Sequence, residues 1–489
     1  MAVTLDRLSD ITLEDAWRVG FEHAGISLSD GAKARIMDCR ASFERLLARD
    51  RAGFVYGSTA APGHRAKVRL SMDAQERLVR SQNLFAPKAF GWGNKWAPGH
   101  ALRLVILACV ASYIEGHGRI RLHTVEWVAS LLSRPMPKMP LDTATGPGEV
   151  IPLSWLYTEL SEVDLAAGEL MALYNGSPCA TGFIADAALT GARRLRLVER
   201  VSALAIEAAA APLDAYDPAL QELIADPYQR GVLRRLNEYL AGVPQSGRLS
   251  HQAPVSWRII PTILATAARA VRDAEEVARH SLHSVSYNPV YLPPDSDHPD
   301  GRAISPGGFH NQQASRAIDV LNAAGADICA LATKHTSRLL DGAPFGLPLL
   351  LVGKDSGVIG PEFLAWSQPS HAERARLAAT PAVLSIGVED PGGGQSDVAV
   401  PVFLAYERYM DVSDAVDAAL ATLCMVIVQA FRISGRLPPP KLNEFYGAID
   451  DLVAPFELDR ISQLGESLRK LKIGFSDAVI GQGKLAALI

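Results

Sequence analysis

Residues 252–289 read QAPVSWRIIPTILATAARAVRDAEEVARHSLHSVSYNP. A polar, turn-forming start that holds Gln252 and Arg258 leads into a long run of strong helix formers, and the run ends before Asn288-Pro289. Pro261 lies near the start of the run, where a helix tolerates proline. A helix over residues 257–285 would exceed the usual globular length, which is typical of a bundle core or an oligomer interface.

Other long helices are predicted on both sides of this segment. Residues 188–211 (ALTGARRLRLVERVSALAIEAAAA) carry Leu and Val at spacings of three and four, and Pro212 ends the run. Residues 411–433 and 458–471 continue the pattern. The predicted fold class is all-α, with a loop-rich helical region over residues 1–185, a central long-helix bundle over 186–440 and a C-terminal helical segment over 441–489.

Composition excludes several classes of protein. The 489 residues are 48% hydrophobic and 21% charged, with a net charge of -5, which is enough apolar material for a large core. No basic block indicates nucleic acid. The N-terminus lacks the apolar segment of a signal peptide, and the apolar runs 104–114 and 423–431 are shorter than a membrane span. These features predict a cytoplasmic protein with small-molecule or protein partners.

The five cysteines are widely spaced, odd in number and without C-x-x-C spacing. They predict neither a disulfide framework nor a zinc site, and no metal is expected.

Loops rich in Gly and Pro separate the predicted helices, at residues 55–67, 135–152, 287–311 and 385–401. Such loops hold functional groups on a rigid scaffold. Their motifs occur in a fixed order: Tyr56-Gly57, QERLVRSQ (75–82), ELMALYNG (169–176), Gln252 to Arg258, Asn288-Pro289, SPGGFHNQ (305–312), GLP (346–348) and GQSD (394–397).

This ordered set resembles the family of histidine, phenylalanine and tyrosine ammonia-lyases and aminomutases over roughly residues 50–400. Residues 252–258 resemble that family's Q-D-x-Y-S-x-R, and residues 305–312 resemble its S-G-G-N-F-H-G-Q. The resemblance implies a helical homotetramer in which each active site takes residues from three subunits. It also implies an electrophile, 4-methylideneimidazol-5-one, made from an Ala-Ser-Gly triplet above helix N-termini.

The resemblance assigns roles to two residues. The tyrosine of the Y-G loop removes the β-proton of the substrate, which makes Tyr56 the candidate catalytic residue, and the alternative is a tyrosine whose hydroxyl only closes a hydrogen bond. The arginine of Y-S-x-R holds the substrate carboxylate, and Arg258 occupies that position. The alternative for Arg258 is a structural ion pair with an acid at an interface.

The electrophile-forming triplet is altered. The family places it before D-L-A-P-L, and the equivalent segment begins at Glu149. Without gaps, the triplet is Gly146-Pro147-Gly148, which has no hydroxyl to eliminate. A two-residue insertion would place Ala144, Thr145 and Gly146 there, and the extra methyl of a cyclised threonine would hinder attack on the alkene.

Several further family positions have changed or are retained. The changed ones are Val255, Ala253, Gln82, Ser396 and Thr59; the retained ones are Tyr56, Asn175, Gln252, Arg258, Asn288, Phe309 and Gln395. The candidate substrate-binding residues are Arg258, Asn175, Gln252, Gln82, Phe309, Gln395 and Asn288. The alternative roles are structural: polar loop residues commonly satisfy backbone groups, Asn288 before proline is a typical turn former, and Phe309 is a candidate core residue.

Three functions are consistent with this pattern. The first is a biosynthetic enzyme of carbon–nitrogen-lyase type that acts on a small carboxylate or amino-acid-derived substrate. It would catalyse an elimination, addition, isomerisation or cyclisation by acid–base chemistry, without the prosthetic group or another cofactor. The second is an ammonia-lyase or aminomutase whose group forms from Ala144-Thr145-Gly146. The third is an inactive homologue that binds a ligand or a protein partner.

Overall fold

The computed structural model describes residues 2–49, 54–62, 66–80, 93–142, 146, 148–157, 162–249, 252–353, 361–382, 397–457 and 463–489. The helices of the N-terminal half are α1 (Leu13–Gly20), α2 (Asp30–Arg49), α3 (Met72–Arg80), α4 (Gly99–Tyr113), α5 (Leu122–Ser130), α6 (Val150–Leu156), α7 (Glu169–Tyr174), α8 (Pro178–Ala208) and α9 (Pro227–Tyr239). They are followed by α10 (Val255–Arg258), α11 (Ile260–Leu282), α12 (Gln312–Asp341), α13 (Glu362–Ala378), α14 (Val402–Ser434), α15 (Asn443–Asp450) and α16 (Leu464–Val479).

Two small sheets accompany the helices. Strand β1 (Val3–Leu5) pairs in parallel with β2 (Ile26–Leu28), and β3 (Val290–Leu292) pairs antiparallel with β4 (Arg302–Ile304).

The prediction of a helical fold is confirmed, but the boundaries of two predicted helices differ from those in the structure. The helix predicted over 257–285 is divided into α10 and α11, because Ile259 between them leaves the helical conformation before Pro261. The helix predicted over 188–211 begins ten residues earlier, at Pro178.

The chain divides into two compact units. Unit 1 comprises Met1–Leu189, Ala274–Ile318 and Pro381–Glu407, and unit 2 comprises Thr190–Asp273, Asp319–Thr380 and Arg408–Ile489. The long helices α8, α11, α12 and α14 each contribute residues to both units. The division by sequence segments at residues 185 and 440 stays a prediction.

Helix α4 forms the centre of unit 1 and is buried from residue 101 to residue 113. It packs closely against α8, since a Cβ atom on Gly182 would lie 2.6 Å from the backbone N of Val105. The buried Arg103 guanidinium donates to three carbonyl oxygens, those of Val19, Leu132 and Ala24, at 2.6–2.9 Å. A buried cation is tolerated here because each of its nitrogens has an acceptor.

Unit 2 contains buried ion pairs on its long helices. Arg194 of α8 donates to Asp417 of α14 at 2.9 Å, and Ser476 of α16 donates to the same carboxylate at 2.9 Å.

Helix α14 is long and apolar enough to cross a membrane, yet 83% of its most apolar 18-residue stretch is buried inside the protein. The apolarity of α14 therefore follows from its place in a protein core.

Candidate active site

Tyr56 lies in a tight turn of unit 1. The Val55 carbonyl oxygen accepts hydrogen bonds from three successive N–H groups at 3.0 Å, and the Val55 N–H donates to the Thr59 hydroxyl at 2.8 Å. Gly57 has a φ of +66°, and a Cβ atom there would lie 1.9 Å from Cγ of Met171. Only glycine therefore fits after Tyr56, whose side chain is half-buried.

Helix α7 connects this turn to Asn175. Met171 belongs to α7, which ends at Asn175. The Asn175 side-chain amide donates to the Asn288 carbonyl oxygen at 2.7 Å, and the Asn288 N–H donates to the Asn175 carbonyl oxygen at 2.9 Å. The structure thus brings two predicted site residues together. Among the described residues, the buried Oδ1 of Asn288 has no hydrogen-bond partner and is a free acceptor.

Phe309 lies beside Gly148, the last residue of the altered triplet in the register without gaps. A Cβ atom on Gly148, where φ is +91°, would lie 3.5 Å from Cδ2 of Phe309. The neighbouring Gly308 carbonyl oxygen accepts from the Ser177 hydroxyl at 3.2 Å. Phe309 is half-buried, so it borders this segment without being a core residue.

Glu149 caps the N-terminus of α8. Its two carboxyl oxygens accept from the Cys179 N–H at 2.6 Å and from the Ala180 N–H at 2.8 Å. The side chain is fully buried, and burial raises the pKa of Glu149 to about 8, against the effect of those two hydrogen bonds. The first free N–H groups of α8 are therefore bound by a carboxyl group of the protein, which at a pKa of about 8 is mostly neutral near pH 7.

These residues bear on the methylideneimidazolone group. In the register without gaps, the middle residue of the triplet is Pro147, which carries no hydroxyl, and the first N–H groups of α8 are bound to Glu149. The residues do not fit the group in that register. Gly146 of the second register accepts from the Val400 N–H at 2.9 Å, whereas Ala144 and Thr145 lie outside the described residues.

Arg258 lies at a cavity of about 480 Å³ in unit 2. The cavity is lined by Pro212, Asp214, Ala215, Leu220, Leu223, Ile224, Gln229, Leu233, Gln252, Ala253, Arg258, Pro261 and Thr262. The Nε of Arg258 donates to the Ala253 carbonyl oxygen at 3.1 Å, and no carboxylate of the described residues forms an ion pair with the guanidinium. The structure thus brings Gln252 and Arg258 to one cavity and leaves Arg258 available to an anion.

The backbone before Arg258 is held by buried side chains. Trp257 is fully buried, with its ring centroid 4.1 Å from that of His335. The Tyr216 hydroxyl donates to the Trp257 carbonyl oxygen at 2.5 Å, and Nε2 of His335 lies 3.0 Å from the Ser256 carbonyl oxygen. Burial lowers the pKa of His335 to about 4, so the ring is neutral near pH 7 and donates from Nε2.

The predicted residues are distributed over both units. Tyr56, Asn175, Asn288 and Phe309 belong to unit 1, and Gln252 and Arg258 belong to unit 2. Gln82 and Gln395 lie outside the described residues. Sequence reasoning missed the cap formed by Glu149 and the supports Tyr216 and His335. None of the three had a local signal, since Glu149 directly precedes α6 in sequence but caps α8, and Tyr216 and His335 lie far from α10 along the chain.

The fold of the chain is similar to solved structures of known enzymes, and its sequence is similar to curated relatives. The fold matches the crystal structure of a tyrosine aminomutase from Streptomyces globisporus, with a TM-score of 0.85, 21% identity and 97% of each chain covered. It also matches an ergothioneine-degrading enzyme, ergothionase, from Treponema denticola, with a TM-score of 0.85, 16% identity and coverage of 97% and 99%. A histidine ammonia-lyase of Clostridium tetani is 25% identical over 512 residues, which cover 98% of this chain and 96% of the relative.

The model of the aromatic amino acid lyase family matches residues 11–161 and 156–451. The chain belongs to the aromatic amino acid lyase family. The resemblance stated from the motifs is confirmed, and membership supports an enzyme of lyase type.

Proposed function

We propose that this chain is a divergent lyase that acts on a small carboxylate or amino-acid-derived substrate by acid–base chemistry, without the methylideneimidazolone group. The observation that carries the proposal is Arg258, whose guanidinium lies at a cavity beside Gln252 and forms no ion pair within the described residues. A guanidinium binds a carboxylate through two parallel hydrogen bonds, which fixes the orientation of the substrate as well as its position.

The chemistry follows from the retained groups. In an elimination, the Tyr56 phenolate removes the proton from the β-carbon, the C–H electron pair forms the C=C bond, and the leaving group departs with its own bonding pair. Arg258 holds the carboxylate throughout. An amine is a poor leaving group without the electrophile, so a substrate with a better leaving group, or an addition, isomerisation or cyclisation, suits this set of residues.

Tyr56 and Arg258 belong to different units of the chain. We propose that the chain forms a homotetramer whose subunits contribute these residues to shared active sites, as the family resemblance implies. Asn288, with its free Oδ1, and Phe309 complete the proposed site on the Tyr56 side, and Gln252 completes it on the Arg258 side.

Binding of trans-cinnamate, compared with its neutral amide, tests the arginine clamp. The parent should bind the acid more tightly than the amide in calorimetry. Arg258→Met should weaken binding of the acid by about 10- to 100-fold, the value of a charge-assisted hydrogen-bonded pair. The matched control is Arg269→Met, which removes an equal charge from a residue already paired with Asp226 at 2.9 Å. An equal loss of cinnamate affinity in Arg258→Met and Arg269→Met would contradict the assignment of Arg258 as the carboxylate clamp.

Peptide mass spectrometry of residues 141–153 tests the absence of the prosthetic group. We expect the unmodified mass, whereas the loss of two waters would show that a triplet has cyclised. Turnover of amino acids and cinnamate-like acids by the parent is then compared with turnover by Tyr56→Phe. The control is Tyr446→Phe, which removes a hydroxyl bonded to Asp450 of the same helix. Undiminished turnover in Tyr56→Phe would remove Tyr56 from the mechanism.

A further inference from the structure

The cavity of about 480 Å³ in unit 2 is lined by two residues of opposite charge, Asp214 and Arg258. Within the described part of the chain, the Arg258 guanidinium donates from Nε to the Ala253 carbonyl oxygen at 3.1 Å and forms no ion pair. The Asp214 carboxylate has no ion-pair partner in that part of the chain either, so the two charges do not neutralise each other. One cavity therefore offers a positive and a negative group at separate positions.

A buried tyrosine holds the backbone of both charged residues. Tyr216 follows Asp214 by two residues and is 2% exposed. Its hydroxyl donates to the carbonyl oxygen of Trp257, the residue before Arg258, at 2.5 Å. The Asn237 side-chain amide donates to the Tyr216 carbonyl oxygen at 2.7 Å. The backbone that carries each charge is thus set before a ligand binds, which lowers the entropy cost of binding.

The rest of the cavity wall is mainly aliphatic. The segment before α9 and α9 itself contribute Leu220, Leu223, Ile224 and Leu233, and the described residues that line the cavity include no aromatic side chain. Leu223 is 82% exposed, so a large apolar side chain at the cavity is in contact with water. A ligand with an aliphatic part removes this surface from water, which favours its binding.

We propose that the cavity binds an aliphatic amino carboxylate, with its carboxylate at Arg258, its ammonium group at Asp214 and its hydrocarbon part against Leu223. The inference rests on the proposed function, which places a substrate carboxylate at Arg258, and it names the class of substrate. Each charge of such a ligand loses water where it gains an opposite charge. Holding the amine as an ammonium group requires no electrophile. Asp214 is thereby a specificity-determining residue, because it distinguishes an amino acid from the acid that lacks the amine.

Calorimetry with three ligands that share one hydrocarbon skeleton tests the proposal. L-Leucine carries both charges, 4-methylpentanoate lacks the ammonium group, and L-leucinamide lacks the carboxylate. The parent should bind L-leucine about three- to tenfold more tightly than 4-methylpentanoate, the value of one charged pair that stays partly exposed. L-Leucinamide should bind more weakly than L-leucine, because it offers Arg258 no carboxylate. Equal affinities for L-leucine and 4-methylpentanoate would overturn the proposal.

Variants assign the preference for the amine to Asp214. Asp214→Asn should bind L-leucine and 4-methylpentanoate with nearly equal affinity, because the amide carries no charge. The matched control is Asp217→Asn, in the same segment, whose side chain accepts from the Ala219 N–H at 2.8 Å and does not line the cavity. It should keep the full preference for L-leucine. A preference that survives in Asp214→Asn, or that is lost equally in Asp217→Asn, would contradict the assignment.

A second variant tests the aliphatic contact. Leu223→Ser should lower the affinity for L-leucine severalfold and leave that for glycine unchanged, since glycine has no side chain to cover the exposed leucine. An equal loss for both amino acids would refute the contact with Leu223.

The same ligands separate failure of this inference from failure of the proposed function. If 4-methylpentanoate binds the parent as tightly as L-leucine does and binding of both is lost in Arg258→Met, the carboxylate clamp stands and the role of Asp214 is wrong. If Arg258→Met binds 4-methylpentanoate as tightly as the parent, the proposed function fails and this inference fails with it.

Discussion

Two fully buried carboxylates of unit 1, Glu149 and Glu169, differ in the charge of their partners. Among the described residues, Glu149 accepts from the Cys179 and Ala180 N–H groups and from the Cys179 thiol, none of which is a cation. Glu169 accepts from the Arg121 guanidinium at 2.7 Å as well as from backbone N–H groups. Burial raises the pKa of Glu149, whereas for Glu169 the bonds from Arg121 and the backbone outweigh burial and lower it. A cation beside the carboxylate decides the direction of the shift.

Glu149→Gln should change how stability depends on pH. Because the pKa of Glu149 rises from 4.5 to about 8 on folding, the folded state binds more protons between those values, and stability falls as the pH rises through that range. The free energy of unfolding of the parent should fall by on the order of 1 kcal/mol per pH unit in this range, and that of the Gln variant should not show this fall. Urea denaturation at several pH values measures it, and parallel curves for parent and variant would refute the prediction.

Glu169→Gln is the matched control, because the pKa of Glu169 shifts on folding in the opposite direction to that of Glu149. Since the pKa of Glu169 is lowered below 4.5 on folding, its ionised form stabilises the protein above that pH, and the contribution is lost as the pH falls. The difference between parent and this variant should therefore shrink below pH 4.5 and stay constant between pH 6 and 8.

At the scale of elements, the short helix α10 depends on distant residues for its geometry. Tyr216, from the segment before α9, and His335, from α12, each bind a carbonyl oxygen of α10. Trp257 packs between His335 and Phe345, with ring centroids at 4.1 and 4.9 Å. These contacts fix the end of α10, where Arg258 leaves the helix toward the cavity.

Tyr216→Phe should therefore affect both stability and binding. Loss of the buried hydrogen bond leaves the Trp257 carbonyl oxygen without that donor, which should cost about 1–2 kcal/mol of unfolding free energy. Cinnamate binding should weaken severalfold, because the backbone under Arg258 loosens. Tyr113→Phe removes a comparable buried bond, to the Ala172 carbonyl oxygen at 2.8 Å, and should lose stability without losing affinity. Equal affinities of the Tyr216→Phe variant and the parent would disprove the positioning role.

Features that depend on neighbouring residues could be predicted from the sequence, whereas contacts between residues far apart in the chain could not. The long helices were predictable because composition and spacing act within a few turns. The break after α10 was not predicted, because proline is tolerated near the start of a helix and the sequence indicated one continuous helix there. The turn at Gly57 was visible as a motif, but its contact with Met171 was not. The pairing of Asn175 with Asn288 and the close approach of Ser58 and Arg119 to Gly168 join distant segments, and no local pattern encodes them.

At the scale of the whole molecule, exposed apolar side chains on unit 2 indicate assembly. Phe363, Trp366 and Leu377 of α13 are 54%, 66% and 70% exposed, and the first two form an edge-to-face pair at 5.0 Å. Val255 and Ile259, on either side of Arg258 in sequence, are also exposed. Apolar side chains grouped at a surface are typical of an interface between proteins. They support the proposed homotetramer, which light scattering tests against the chain mass of 52.4 kDa.

Subunit complementation tests whether the tetramer shares its active sites. Tyr56→Phe and Arg258→Met should each abolish turnover of the substrate found for the parent. Co-expressed in equal amounts, they form mixed tetramers in which a site that takes its tyrosine from one subunit and its arginine from another regains both. Random mixing gives about a quarter of the parent's activity, because each residue is intact with a probability of about one half. Mixed tetramers, verified by native mass spectrometry, that show no recovery would place both residues in one subunit's site or remove one from catalysis. Recovery near a quarter assigns Tyr56 and Arg258 to neighbouring subunits, as their membership of different units of the chain leads us to expect.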